Sequence, residues 1–96
     1  MQVKKTATAG TMESSDIMIS VIPKAGKGVD VMLTSSVSKQ FGNEIKSVIL
    51  SCAERLKIDG VQIVAVDKGA LDCVIKARTE TALYRACESH DYQWEA

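Results

Sequence analysis

The stretch Val29-Asp30-Val31-Met32-Leu33-Thr34-Ser35-Ser36-Val37-Ser38-Lys39-Gln40-Phe41-Gly42 changes its apolar period midway. Val29, Val31 and Leu33 alternate with Asp30 and Met32, the period of two that gathers side chains on one face of a strand. Beyond the serines, Val37, Phe41, Ile45, Val48, Ile49, Cys52 and Leu56 recur at steps of three and four. That spacing predicts one buried helical stripe, Phe41 and Ile49 included, with Lys39, Lys46 and Glu54 facing water. Ser35 and Ser36 can cap the start, because a serine hydroxyl accepts from the unpaired amides of the first turn. Gly42 inside the helix costs about 1 kcal/mol relative to alanine, which the long apolar face outweighs. Asp59-Gly60 is read as the stop.

Towards the N-terminus, Ile17, Ile19 and Val21 alternate in the run Ile17-Met18-Ile19-Ser20-Val21-Ile22 until Pro23, which cannot donate to a ladder. The small, weakly apolar stretch from Ala7 to Met12 precedes it, and the polar cluster Glu13-Ser14-Ser15-Asp16 lies between. Two strands joined by a tight turn are predicted. Lys24 to Gly28 is a loop, and Met1 to Thr6 is patternless, a terminus expected to be loose.

Towards the C-terminus, the short β-branched run Val61-Gln62-Ile63-Val64-Ala65-Val66 predicts a strand. After Asp67-Lys68-Gly69, the positions Leu71, Cys73 and Ile75 fit a hairpin strand, but Leu71, Val74, Ile75, Arg78, Thr79 and Ala82 fit a helix, and good helix formers follow. A helix is the reading adopted. Ser89 to Ala96 is a polar tail. The whole is an α+β chain of order β-β-β-α-β-α, a sheet packed against two helices, in a single domain over residues 1–96 with flexible tails at 1–6 and 89–96.

Composition narrows the function. The chain has 96 residues, with Lys plus Arg and Asp plus Glu at 12 each. No excess positive charge draws nucleic acid or an anionic membrane, and aromatic stacking platforms are few. Apolar runs fall far short of the roughly 20 residues that span a bilayer, so a cytoplasmic protein is expected. Cys52, Cys73 and Cys87 form no close pair and are read as reduced, with Cys52 and Cys73 as small buried hydrophobes. Neither a Cys-x-x-Cys nor a His-x-x-x-His pair suggests a metal. A nucleophilic triad would have to use His90, in the polar tail, and the pairs Glu13 with Asp16 and Asp67 with Asp72 are better explained by turns and capping. Gly26 and Gly28 lack phosphate-loop spacing. No catalytic site is expected.

The segment Ala9-Gly10-Thr11-Met12-Glu13-Ser14-Ser15-Asp16, followed by Ile17-Met18-Ile19, resembles the start of the citrate lyase acyl carrier proteins. Ser35 to Gly42, Gly60-Val61-Gln62, Asp67 to Cys73 and Ala77-Arg78 match the same family in the same order, so that the likeness runs from about Ala7 to Ala86. It implies that Ser14 bears 2'-(5''-phosphoribosyl)-3'-dephospho-CoA through a phosphodiester. Ser15 stands where some relatives have glycine. The arm's thiol would carry acetyl, exchanged for citryl by an alpha (transferase) subunit. A beta (lyase) subunit would cleave that thioester to oxaloacetate, and a holo-citrate lyase synthase would attach the arm. Any magnesium would belong to the lyase. The Asp-Ser-Leu motif of four-helix acyl carriers is absent. Three alternatives remain open: the malonate decarboxylase acyl carrier, a small α/β assembly domain without a prosthetic group, and an independent enzyme.

Overall fold

A computed structural model describes residues 2–35 and 38–88. Its elements are β1 (Ala7–Ala9), β2 (Ile17–Pro23), β3 (Val29–Ser35), α1 (Ser38–Arg55), β4 (Val61–Asp67) and α2 (Asp72–Cys87). The order is the one the periodicities predict, and α2 is helical as read. The sheet runs β1-β2-β4-β3. β2 pairs antiparallel with both β1 and β4, whereas β3 pairs parallel with β4 through the α1 crossover that such a pairing requires.

Both helices lie on one face of the sheet, α1 over β3 and α2 over β1 and β2, and they pack on each other. Beneath them the strand alternation is realised: Ile17, Ile19 and Val21 of β2 and Val61, Ile63 and Ala65 of β4 are fully buried. Met18, Ser20 and Ile22 on β2, with Gln62, Val64 and Val66 on β4, form the half-exposed opposite face. From α1 come Ile45, Ile49, Cys52, Ala53 and Leu56, and from α2 Ile75, Ala82, Leu83, Tyr84 and Ala86.

Several expectations need correction. Phe41 is 46% exposed, because it lies in the first turns of α1, beyond the area that the sheet covers. Cys73 is exposed, at the start of α2, whereas Cys52 and Cys87 are buried. α1 does not stop at Asp59-Gly60. Lys57 takes a left-handed φ of 55°, its N–H bonds the Glu54 carbonyl, and the Ile58 N–H bonds that of Ala53. That is a Schellman ending. Asp59 and Gly60 instead hold the β2–β3 loop, the Asp59 carboxylate accepting from the Gly28 N–H and the Gly60 N–H donating to the Gly28 carbonyl. Ser35 is the last residue of β3, and its hydroxyl donates to Asp67. Ser36, Val37 and the tail 89–96 lie outside the described residues. Of the stretch read as a loose N-terminus, residues 2–6 have no regular structure, yet the Lys4 and Lys5 N–H groups both donate to the Ala86 carbonyl and Val3 packs against the core.

Candidate functional site

Ser14 sits in the connection between β1 and β2, which is seven residues long, from Gly10 to Asp16, rather than a tight turn. β1 is shortened because Gly10 breaks the strand with a φ of 89°. A Cβ there would stand 1.8 Å from the Ile17 carbonyl oxygen, so only glycine lets the chain cross so close to β2.

At the tip, Glu13 to Asp16 form a four-residue turn closed by the Asp16 N–H on the Glu13 carbonyl at 3.2 Å. Ser14 is its second residue and Ser15, with φ at 65°, its third. A positive φ at the third position is where a type II turn ordinarily carries glycine. Ser14 and Ser15 are both exposed. The two hydroxyls are distinguished by their backbone: the Ser15 N–H donates to the Lys68 carbonyl at 2.8 Å and the Lys68 N–H to the Asp16 carbonyl at 2.9 Å. These bonds fasten the turn to the β4–α2 connection and leave Ser14 at the projecting corner.

Asp16 holds the loop in shape. Its Oδ2 accepts from the Thr11 hydroxyl at 2.7 Å, the Thr11 N–H at 3.2 Å and Arg78 Nη2 at 3.2 Å. Its Oδ1 accepts from the Ile17 N–H at 2.7 Å and Arg78 Nε at 3.1 Å. The Thr11 hydroxyl in turn accepts from the Glu13 N–H. Hydrogen bonds from Thr11 first, then from Arg78 and the Ile17 amide, lower the Asp16 pKa to about 2. A carboxylate that merely solvates a turn would be exposed, but this side chain is only 13% exposed and serves as the joint between the loop and α2. Glu13 is the exposed acid beside Ser14. Arg78, 62 residues away in sequence, escaped the reading of the site because nothing local marks it as a partner of Asp16.

The remaining candidates have other places. Asp67 is 1% exposed at the end of β4, where its carboxylate accepts from the Ser35 hydroxyl at 2.8 Å and the Ala70 N–H at 3.0 Å. Asp72 is the exposed first residue of α2. The Asp67 bond to the Ala70 N–H is the turn contact expected of it. His90 lies outside the described residues. All three cysteines are on the helices, and burial pushes the Cys87 thiol up, which keeps it protonated.

An exposed serine on a rigid turn at one end of a small α+β domain suits a carrier that presents a covalently attached group. Residues 4–86 match the family model described as "ACP: Malonate decarboxylase delta subunit (MdcD)". Among curated proteins, the chain is 53% identical to the citrate lyase acyl carrier protein of Latilactobacillus sakei, covering 99% of this chain and 93% of that one. It is 50% identical to that of Streptococcus mutans with the same coverage, and 45% identical to that of Serratia proteamaculans, covering 100% and 94%. The class is thus that of acyl carrier proteins. Within it, the chain belongs to the citrate lyase acyl carrier protein family.

Solved structures carry the fold in larger settings. A protein of Thermus thermophilus matches at TM-score 0.60 and 15% identity, covering 88% of this chain and 16% of that one. Homoserine kinase of Cytophaga hutchinsonii matches at 0.59 and 15%, covering 95% and 36%. At that identity the likeness speaks to the fold alone.

Proposed function

We propose that this chain is the carrier subunit of a citrate lyase, with Ser14 bearing 2'-(5''-phosphoribosyl)-3'-dephospho-CoA through a phosphodiester. The observation that carries the reading is the turn itself: an exposed hydroxyl without a hydrogen bond to any described residue, on a backbone fixed from both sides. The residues fit such a group. A modifying enzyme can surround a corner hydroxyl without unfolding the sheet. The negative charge of Asp16 is engaged by Arg78 and Thr11, and the exposed Lys68 lies across the Ser15 hydrogen bond.

When bound, the arm supplies a thiol that carries acyl groups as thioesters. The chain's own residues present and orient that arm: Gly10 admits the close crossing, Asp16 and Arg78 lock the loop, and Ser14 is the anchor. Partner transferase (alpha) and lyase (beta) subunits would perform the conversion of citrate to acetate and oxaloacetate, with a holo-citrate lyase synthase loading the carrier. Tethering holds the acyl group at high effective concentration for both active sites. The carrier would work in the cytoplasm, where its free cysteines stay reduced. No helix among the described residues is long and apolar enough to cross a membrane.

The description of the matching family model favours one second reading, a malonate decarboxylase carrier, which the choice of accepting transferase separates. The test of attachment is intact mass with peptide mapping on protein made together with its modifying enzymes. The arm's mass is expected on Ser14. Ser14→Ala should carry none, with stability within about 0.5 kcal/mol of the parent because the side chain is exposed. Modification persisting in that variant would move the anchor to Ser15 or elsewhere, and an unmodified parent would return the chain to the assembly domains.

A further inference from the structure

Beside the Ser14 loop lies a groove of about 410 Å³ between the start of α1 and the β4–α2 connection. Phe41 and Ile45 form one wall, and Ala70, Leu71 and Ile75 the other. Its rim is polar, with Glu44 and Asp72. Two links join it to the attachment loop. Lys68, whose backbone bonds Ser15 and Asp16, immediately precedes the lining residue Gly69, and Arg78, which clamps Asp16, lies one helical turn beyond the lining residue Ile75.

The sequence spends apolar surface here against local stability. Leu71 is 71% exposed and occupies the N-cap of α2, where it makes no side-chain cap bond. Serine, threonine, aspartate or asparagine would satisfy an amide there. Phe41 stands opposite, likewise exposed. A local rule broken without a packing gain marks a functional position.

We propose that this groove is the resting place of the chain's own prosthetic arm, receiving its pantetheine segment; the inference rests on the attachment of that arm to Ser14. Pantetheine chemistry matches the walls: its branched dimethyl carbon suits the exposed surface of Phe41 and Leu71, and its amides can bond the polar rim. A volume in the range of about 300–1,000 Å³ is that of small-molecule sites. Weak affinity suffices, because a short flexible tether gives an effective concentration of roughly millimolar order. The phosphates stay outside, near Ser14 and Lys68. Docked, the arm is shielded while the carrier is free, and a partner's active site draws it out.

The test compares amide spectra of uniformly ¹⁵N-labelled carrier with and without the arm, after intact mass and mapping have established its load on Ser14. Shifts are expected at Gly69, Ala70, Leu71, Ile75 and Ile45, and they should be lost in the loaded Leu71→Glu variant, whose exposed position leaves the fold intact. Perturbation confined to residues 13–16 and Lys68 would overturn the proposal while leaving the attachment standing. Groove shifts that arise only when the partner subunits are added would overturn it too, assigning the groove to a partner's side chain. Absence of the arm's mass would instead refute the attachment, and the groove proposal with it.

Discussion

Asp16 shows how one carboxylate governs a loop. With its pKa lowered to about 2 against an ordinary 3.8, it is ionised in the folded protein at pH values where the unfolded chain is already binding protons. Its contribution to stability is therefore fully present above about pH 4 and is lost as the pH falls towards 2. Urea unfolding followed across that window should show a steeper decline in the parent than in Asp16→Asn, and an equal slope in both would remove Asp16 from the account. Ser15 is the complementary case. Its left-handed backbone carries a penalty of about 1–2 kcal/mol for a residue with a Cβ, and glycine would relieve it while adding about 0.4–1 kcal/mol of unfolded-chain entropy. Ser15→Gly should therefore stabilise by about 0.5–1 kcal/mol in thermal unfolding and leave modification of Ser14 intact, whereas a loss of stability would show that the Ser15 side chain supports the turn.

Among the elements, α1 separates periodicity from burial. Ile49 is fully enclosed by the sheet and α2, whereas Phe41, on the stripe read from the sequence, projects past them. Ile49→Ala should cost about 2–5 kcal/mol. Phe41→Ala should change stability by about 0.5 kcal/mol or less, as an exposed position does. Comparable losses at the two sites, measured by urea midpoint at constant m-value, would contradict the arrangement of α1. The same helix shows that a stop signal need not be glycine: Lys57 adopts the left-handed turn because the burial of Ile58 draws the chain back under α1. Residues 59 and 60, the stop suggested by composition, are used to hold a loop instead.

Across the whole molecule, the two helices are joined by a charged pair as well as by apolar packing. Glu80 of α2 is 3% exposed and accepts from the Arg55 guanidinium of α1. Removing the cation leaves a carboxylate stranded in the interior, so Arg55→Ala should destabilise by about 3 kcal/mol. The combined Arg55→Met and Glu80→Leu replacement should recover most of it in the same unfolding assay; failure to recover would mean that the pair specifies the α1–α2 arrangement as well as neutralising charge. The sequence by itself determined what depends on neighbours in the chain. Alternation made the strands, steps of three and four made the helices, and the polar cluster 13–16 together with the family likeness singled out Ser14. Which side chains the layers would cover was only partly legible, as Phe41, Leu71 and Cys73 show, because a helical stripe is longer than the sheet beneath it. The sheet order β1-β2-β4-β3, the clamp of Arg78 on Asp16 and the meeting of the Ser14 loop with Lys68 were decided only in three dimensions. Their partners are far apart in sequence, and their energies arise only once the packed layers bring the groups within hydrogen-bonding distance.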